Sequence, residues 1–355
     1  MSSLSPVTPA SPDIAQELAA LIEAEGPISI ERFMGAANAH YYATRDAIGA
    51  AGDFITAPEV SQMFGEIVGL ALADVWQRAG RPDAALVELG PGHGTLAVDM
   101  LRAMRVAGFA PPVHFIETSP LLREKQRDQL PNATWHDTIQ TLPTDRPLLI
   151  VANEFFDALP VHQLINTFTG WRERVVRNGI DGFEAAPGEP TKYGEVPPHL
   201  RHVDPGGIIE SCPMARGLIR AIARRLHDQG GVLLAIDYGY DGGAHGDTLQ
   251  AVHAHAYADP FARPGTSDLT AHVDFAALAG SARAAGTHVA GPVEQGQWLI
   301  ALGLSDRAAV LARNAPGRAH EISEAYRRLT HPEEMGELFK VMAVTGRNWP
   351  EPAGF

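Results

Sequence analysis

Cysteine is nearly absent: Cys212 is the only one among 355 residues. A single thiol closes no intramolecular disulfide and builds no thiolate metal cage. Such usage agrees with a reducing compartment. Long apolar runs are missing too. No stretch reaches the ~20 residues of a membrane-spanning helix, so no membrane insertion is expected. Positive charge is scarce, with 28 Lys and Arg against 42 Asp and Glu and a net charge of −14. A protein that lives on phosphate contacts shows a basic face, so nucleic acid is not an expected partner. An acidic surface suits solubility or a basic protein partner. No internal repeat is visible. The opening residues, MSSLSPVTPASPDIA, have neither a basic n-region nor an Arg-rich amphipathic presequence. Residues 1–12 read as a disordered tail, and the protein as one of the bacterial cytoplasm. His245, His253, His255 and His272 fit no common ligand spacing, so no metal is expected.

What is present is a globular composition, 45% hydrophobic and 20% charged, enough for a full-sized core. The chain is organised around residues 84–96, AALVELGPGHGTL. An apolar run ends in Glu88, three glycines follow at Gly90, Gly92 and Gly94, and Thr95 opens an amphipathic segment. This predicts strand, tight loop and helix. Glycine belongs where a backbone turns sharply or approaches a ligand closely, and the amides of a helix start face that ligand. A dinucleotide fingerprint requires a third glycine five residues after Gly90. Thr95 stands there, and the glycine comes at Gly94 instead.

Along the chain, helices are predicted over 14–24 and 30–39. A polar, aromatic loop, HYYATRD, begins at His40. GDFITAPEVSQMFGE follows from Gly52 to Glu66, where Thr56 and Glu59 have the spacing of a capping box for a helix ending near Gly80. After the glycine loop, strands are predicted at 113–117, 134–137, 148–156 and 232–236. Their ends carry acids or amides: Glu117 beside Thr118, Asp137, Asn153-Glu154 and Asp237. Residues 161–210 switch to an alternating pattern with turns at Thr169-Gly170 and Asn178-Gly179, an antiparallel insertion. A loop fills 241–267, helices follow at 274–285 and 308–329, and a last strand at 339–344. The alternation of strand and helix predicts an α/β, doubly wound, mostly parallel sheet. Ligands of such sheets bind at the carboxyl ends of the strands. Two carboxylates and an amide ending a buried strand are costly unless paired or used.

The E-x-G-x-G-x-G run resembles that of S-adenosylmethionine (SAM) dependent methyltransferases. Further segments narrow the resemblance: YYATRD, GDFITAPEVSQMFGE, NEFFDALPVHQ (153–163), DYGY (237–240), DLTAHVDF (268–275) and QGQWLIALG (295–303). Together the chain resembles the MidA-like SAM-dependent methyltransferases, whose mitochondrial members are complex I assembly factors that methylate an arginine. The resemblance implies a seven-stranded class I (Rossmann-like) sheet with N-terminal helices and an inserted β-rich and helical subdomain. Residues 13–80 would form the helical segment and active-site lid, 81–160 the SAM-binding core, 161–210 the insertion and 211–355 the rest of the core. Glu88, Gly90, Gly92, Gly94, Glu117, Thr118, Asp137, Asn153 and Thr56 would hold S-adenosyl-L-methionine. Glu117 would take the ribose hydroxyls and Asp137 the adenine amino group. Glu154 and Asp157 would be the catalytic acids, with Asp53 and Glu59 as second candidates on the lid. NEFF lacks the prolines of enzymes that methylate base amino groups. The implied partner is a protein, such as a respiratory complex I core subunit. A partner-binding module without turnover and a small-molecule methyltransferase remain as alternatives, and a NAD-type oxidoreductase is disfavoured by Thr95.

Overall fold

The computed structural model describes residues 13–44, 56–191, 196–253 and 256–355. Residues 1–12 and Asp53 lie outside the described residues. Helix α1, Ile14–Glu25, is capped by Asp13, whose carboxylate accepts from the Ala15 amide, and it buries Ile14, Leu18 and Ile22. The two-residue strand β1, Ile28–Ser29, leads into α2, Ile30–Thr44. The second helix is therefore longer than its sequence suggests, and HYYAT is helix rather than loop. The reason is tertiary: Tyr41 is wholly buried, and the Tyr42 hydroxyl donates to Asp268 Oδ2 at 2.6 Å.

The capping box also needs correction. Helix α3, Ala57–Val60, is one turn long, and Thr56 makes no side-chain cap. Ser61 breaks the path with an extended backbone and caps the next helix, α4, Gln62–Arg78. Glu59 bonds elsewhere, as described below.

The core then alternates. Strand β2, Ala85–Leu89, precedes α5, Thr95–Val106; β3, Val113–Ile116, precedes α6, Pro120–Gln129; β4, Thr134–His136, and β5, Leu148–Asn153, follow. Four antiparallel strands come next: β6 (His162–Thr167), β7 (Gly170–Asn178), β8 (Phe183–Pro190) and β9 (Ile208–Ser211). The chain returns through α7, Pro213–Gln229, and β10, Gly231–Tyr240. Short strands β11 (Gln250–His253) and β12 (Ala256–Ala258), within the stretch read as loop, form an antiparallel ribbon with β13 (Asp268–Thr270) just after it. Then come β14 (Val273–Asp274), α8 (Phe275–Arg283), β15 (His288–Glu294), α9 (Gln295–Ala301), α10 (Leu304–Asn314), α11 (Ala319–Thr330) and β16 (Phe339–Thr345). The single helix expected over 308–329 is two helices, because Pro316 interrupts the helical ladder between them.

The central sheet has the order β15-β16-β10-β5-β2-β3-β4, with β14 added at the end of β10. Strands β10, β5, β2, β3 and β4 run parallel, and β16 runs antiparallel between β10 and β15. This is the doubly wound, mostly parallel α/β sheet that the alternation of strand and helix predicts. Every residue of β2 and β5 is buried, as a strand covered on both faces requires. Leu86, Leu149 and Val151 pack on one face with α4 and α5; Ala85, Leu148 and Ile150 pack on the other with α7 and α8. Helices α4 and α5 approach so closely that a Cβ at Gly69 would lie 2.6 Å from the Met100 carbonyl oxygen. A third core joins α1, α2 and β1 to the inserted sheet, where Ile28 pairs with Val176 of β7. The N-terminal helices and the insertion thus pack as one body beside the main sheet. No described helix is long and apolar enough to cross a membrane.

Candidate active site

Side chains alternate along a strand. In β2 and β5 that alternation puts Glu88 and Asn153 on the face that carries α4 and α5. At the carboxyl end of β2 the chain turns through Gly90, Gly92 and Gly94, with φ of +60°, +54° and +85°. A Cβ at Gly90 would sit 2.9 Å from the Phe155 ring. Gly94 caps α5 in the left-handed region, and Thr95 opens it.

The resulting cleft is lined by Thr56, Pro58 and Glu59 from the α3 segment, by Glu88 and the loop from Gly90 to His93, by Thr95 and Leu96, and by Asn153 and Glu154. Two buried acceptors at its base have no donor among the described residues: Glu88 Oε2 and Asn153 Oδ1. Burial pushes the Glu88 carboxyl well above the usual carboxylate range, against the pull of the Ala97 amide. Buried acceptors without donors are costly, and they suit a ligand that brings its own N–H or O–H groups. S-adenosylmethionine, with its α-ammonium and hydroxyls, is such a ligand.

Glu154 stands at the edge of the cleft with φ +48°, unusual for a residue with a Cβ. Its Oε1 accepts from the Ala57 amide at 3.0 Å and from Asn153 Nδ2 at 3.2 Å. Burial first, and the Asp157 charge after it, push its pKa up to about 7; the Ala57 amide, Asn153 and Arg328 pull the other way. Glu59 Oε1 accepts from Thr95 Oγ1 at 2.7 Å and lies 4.0 Å from His93 Nδ1, so it ties α3 to the start of α5.

The other predicted residues are arranged less directly. Glu117, at the end of β3, accepts from the Ser119 amide at 2.7 Å and from Gln126 Nε2 at 3.2 Å. Gln126 also donates to the Gly92 carbonyl at 2.8 Å, which links Glu117 to the glycine loop. Burial raises the Glu117 pKa. Thr118 is exposed in the following turn. Asp137 is also exposed, and Arg123 pairs with it at 2.6 Å while donating to the Glu117 carbonyl. Gly94, Glu117, Thr118 and Asp137 are not among the residues that line the cleft. Asp157 is buried away from it and takes a hydrogen bond from Tyr238; burial raises its pKa to about 6. Three contributors escaped sequence reasoning. Thr95 and His93 line the cleft, although both stand in the motif itself. Gln126 had no local signal, being a helix residue 34 positions from the carbonyl it holds.

The sequence matches the profile of an S-adenosyl-L-methionine-dependent methyltransferase family over residues 67–293. It is 34% identical to the mitochondrial protein arginine methyltransferase NDUFAF7 of Danio rerio, covering 93% of this chain and 86% of that protein. The Homo sapiens counterpart is 33% identical, over 96% and 84% of the two chains. In structure the chain is similar to a Burkholderia thailandensis protein solved with S-adenosyl-homocysteine bound, with a TM-score of 0.83, 27% identity, and 94% and 91% of the chains covered. Fold, glycine turn and buried acceptors together define a SAM-dependent methyltransferase of the Rossmann-like class. Within that class the chain belongs to the MidA-like family, and S-adenosyl-L-methionine is its cofactor.

Proposed function

We propose that the enzyme methylates an arginine side chain of a protein partner, with Glu154 as the residue that receives the guanidinium. The observation that carries this reading is a carboxyl group at the edge of the cleft, in the turn that follows β5, in a backbone conformation that costs about 1–3 kcal/mol to maintain. The names of the curated relatives support arginine, and the net charge of −14 favours a cationic segment. Bound S-adenosylmethionine supplies an electrophilic methyl group on a sulfonium. Glu88 and Asn153 would hold its amino acid portion, Glu117 its ribose and the Gly90–Gly94 turn its close approach, with Thr56 and Thr118 at the margins and Asp137 towards the adenine.

A guanidinium is protonated at neutral pH and a poor nucleophile. A carboxylate binds its planar fork and localises its charge. Glu154 in its ionised form would orient one nitrogen towards the methyl carbon and take the proton released as the nitrogen–carbon bond forms and the carbon–sulfur bond breaks. Asp157 would shape the charge of Glu154 from behind, and Glu59 would hold α3 over the cleft. Orientation of this kind supplies much of the acceleration in a displacement.

The partner to test first is a core subunit of respiratory complex I. Purified protein, methyl-labelled SAM and recombinant core subunits are incubated, and methyl groups are mapped by mass spectrometry. Label on arginine is the expected result. Bound SAM with no labelled arginine on any subunit refutes that partner, and label on another residue type refutes arginine.

A further inference from the structure

Asp237, at the end of β10, is wholly buried. The parallel register sets Ile236 opposite Asn153, and the Glu154 amide donates to the Ile236 carbonyl at 2.9 Å. One residue further the two chains part. Strand β10 continues, while the chain leaving β5 turns at Glu154 through its positive φ. The turn aims three successive amides back at β10. Phe155, Phe156 and Asp157 donate to Asp237 Oδ2 at 3.1, 2.9 and 3.3 Å, and the Tyr238 amide donates to Oδ1 at 3.0 Å. Successive amides beside a left-handed residue form an anion-binding concavity. Here a side chain of the same molecule fills it.

We propose that Asp237 is a positioning residue: it touches neither cofactor nor substrate, and its carboxylate holds the turn that keeps the Glu154 side chain against Ala57 and in the cleft. That Glu154 acts in methyl transfer rests on the reading above; its placement by Asp237 does not. Among the described residues the four partners of Asp237 all donate, which by itself favours the ionised carboxylate. Burial first, and the charges of Asp157 and Glu154 after it, outweigh the amides and push its carboxyl well above the usual carboxylate range. Among the described residues, the other charged groups around the turn include Arg328 of α11, which faces Glu154; Glu59 and Glu88, which line the cleft with Glu154; and Lys340 of β16, opposite Asp237 in register with its ammonium on the Glu337 carbonyl. Tyr238 faces Asp157 through its hydroxyl.

Two readouts on the full chain test the assignment, and neither uses methyl transfer. The first is hydrogen exchange by NMR. In the parent protein the amides of Phe155, Phe156 and Asp157 are expected to be protected like those of β10, and Asp237→Asn should speed them about tenfold with the β5 amides unchanged. The second is the titration of Glu154, followed with carboxyl-labelled glutamate and assigned by its loss in Glu154→Gln. A Glu154 side chain released from its buried place should titrate lower, by about half a unit or more. A purely structural role leaves that midpoint in place. The proposal is overturned if the three parent amides exchange as freely as an exposed turn, a measurement that needs no variant to fold. It is equally overturned by an unmoved Glu154 midpoint in folded Asp237→Asn. Should both readouts come out as expected in a protein that transfers no methyl group, the reaction fails and the positioning stands.

Discussion

The turn after β2 and the turn after β5 lie side by side at the same sheet edge, and they are built by opposite means. The first is made of residues that accept positive φ at little cost, Gly90, Gly92 and Gly94, and it leaves its backbone open to a ligand. The second puts a glutamate into positive φ and holds it from outside, through Asp237 and the Ala57 amide. The two meet where the Phe155 ring covers Gly90. A turn that must only admit a ligand can be encoded locally. A turn that must fix a charged side chain in place draws its support from another strand.

Altering the glycine turn should have the largest effect. Gly90→Val puts a branched side chain at φ +60° and against Phe155, so calorimetry should show S-adenosylhomocysteine affinity falling about 100-fold or more, or about 2.7 kcal/mol. Affinity within a factor of three of the parent would show that the loop has room the structure denies it.

The Glu154 turn can be tested by pH. Its folded pKa of about 7 stands above the usual 4.5, so between those values the native state binds more protons than the unfolded one. Stability from this group is full below about pH 4.5 and is lost as pH rises through about 7, up to about 3 kcal/mol, less whatever the cleft water screens. Denaturant unfolding across that range should show the decline in the parent, and Glu154→Gln should make it shallower, leaving the share of Asp157, whose pKa of about 6 falls in the same window. Equal slopes in both proteins would place the proton elsewhere.

The smallest effect is expected at Asp137. It is exposed and already paired with Arg123, and an exposed pair contributes about 1 kcal/mol or less. Asp137→Ala should therefore change S-adenosylhomocysteine affinity by about threefold at most. A loss comparable to that of Gly90→Val would move the adenine contact to the centre of the site.

The sheet and the glycine turn were legible because both are written locally, in apolar runs and glycine spacing. So were the acids at strand ends, since a charge closing a buried strand stands out. What the chain hid depends on distant partners. Helix α2 continues to Thr44, with Tyr41 buried and Tyr42 bonded to Asp268, 226 residues further along the chain. Thr56 and Glu59 have capping-box spacing, yet Thr95 claims the glutamate. The pairing of Ile28 with Val176 joins a two-residue strand to a sheet encoded elsewhere. Asp237 was visible as one more acid at a strand end, but its hold on three amides some 80 residues away was not. Asp157, the neighbour of Glu154 in NEFFD, turns out to face Tyr238 instead of the cleft, because the turn at Glu154 redirects the chain.

The central claim, that cofactor binding and methyl transfer reside in the two adjacent turns and divide between them, has one direct measurement. Parent and Glu154→Gln are compared for S-adenosylhomocysteine affinity and for single-turnover transfer of labelled methyl to a protein arginine. Affinity should agree within about threefold while transfer falls by about 100-fold or more. Equal transfer rates at equal affinity would contradict the account and remove Glu154 from the chemistry.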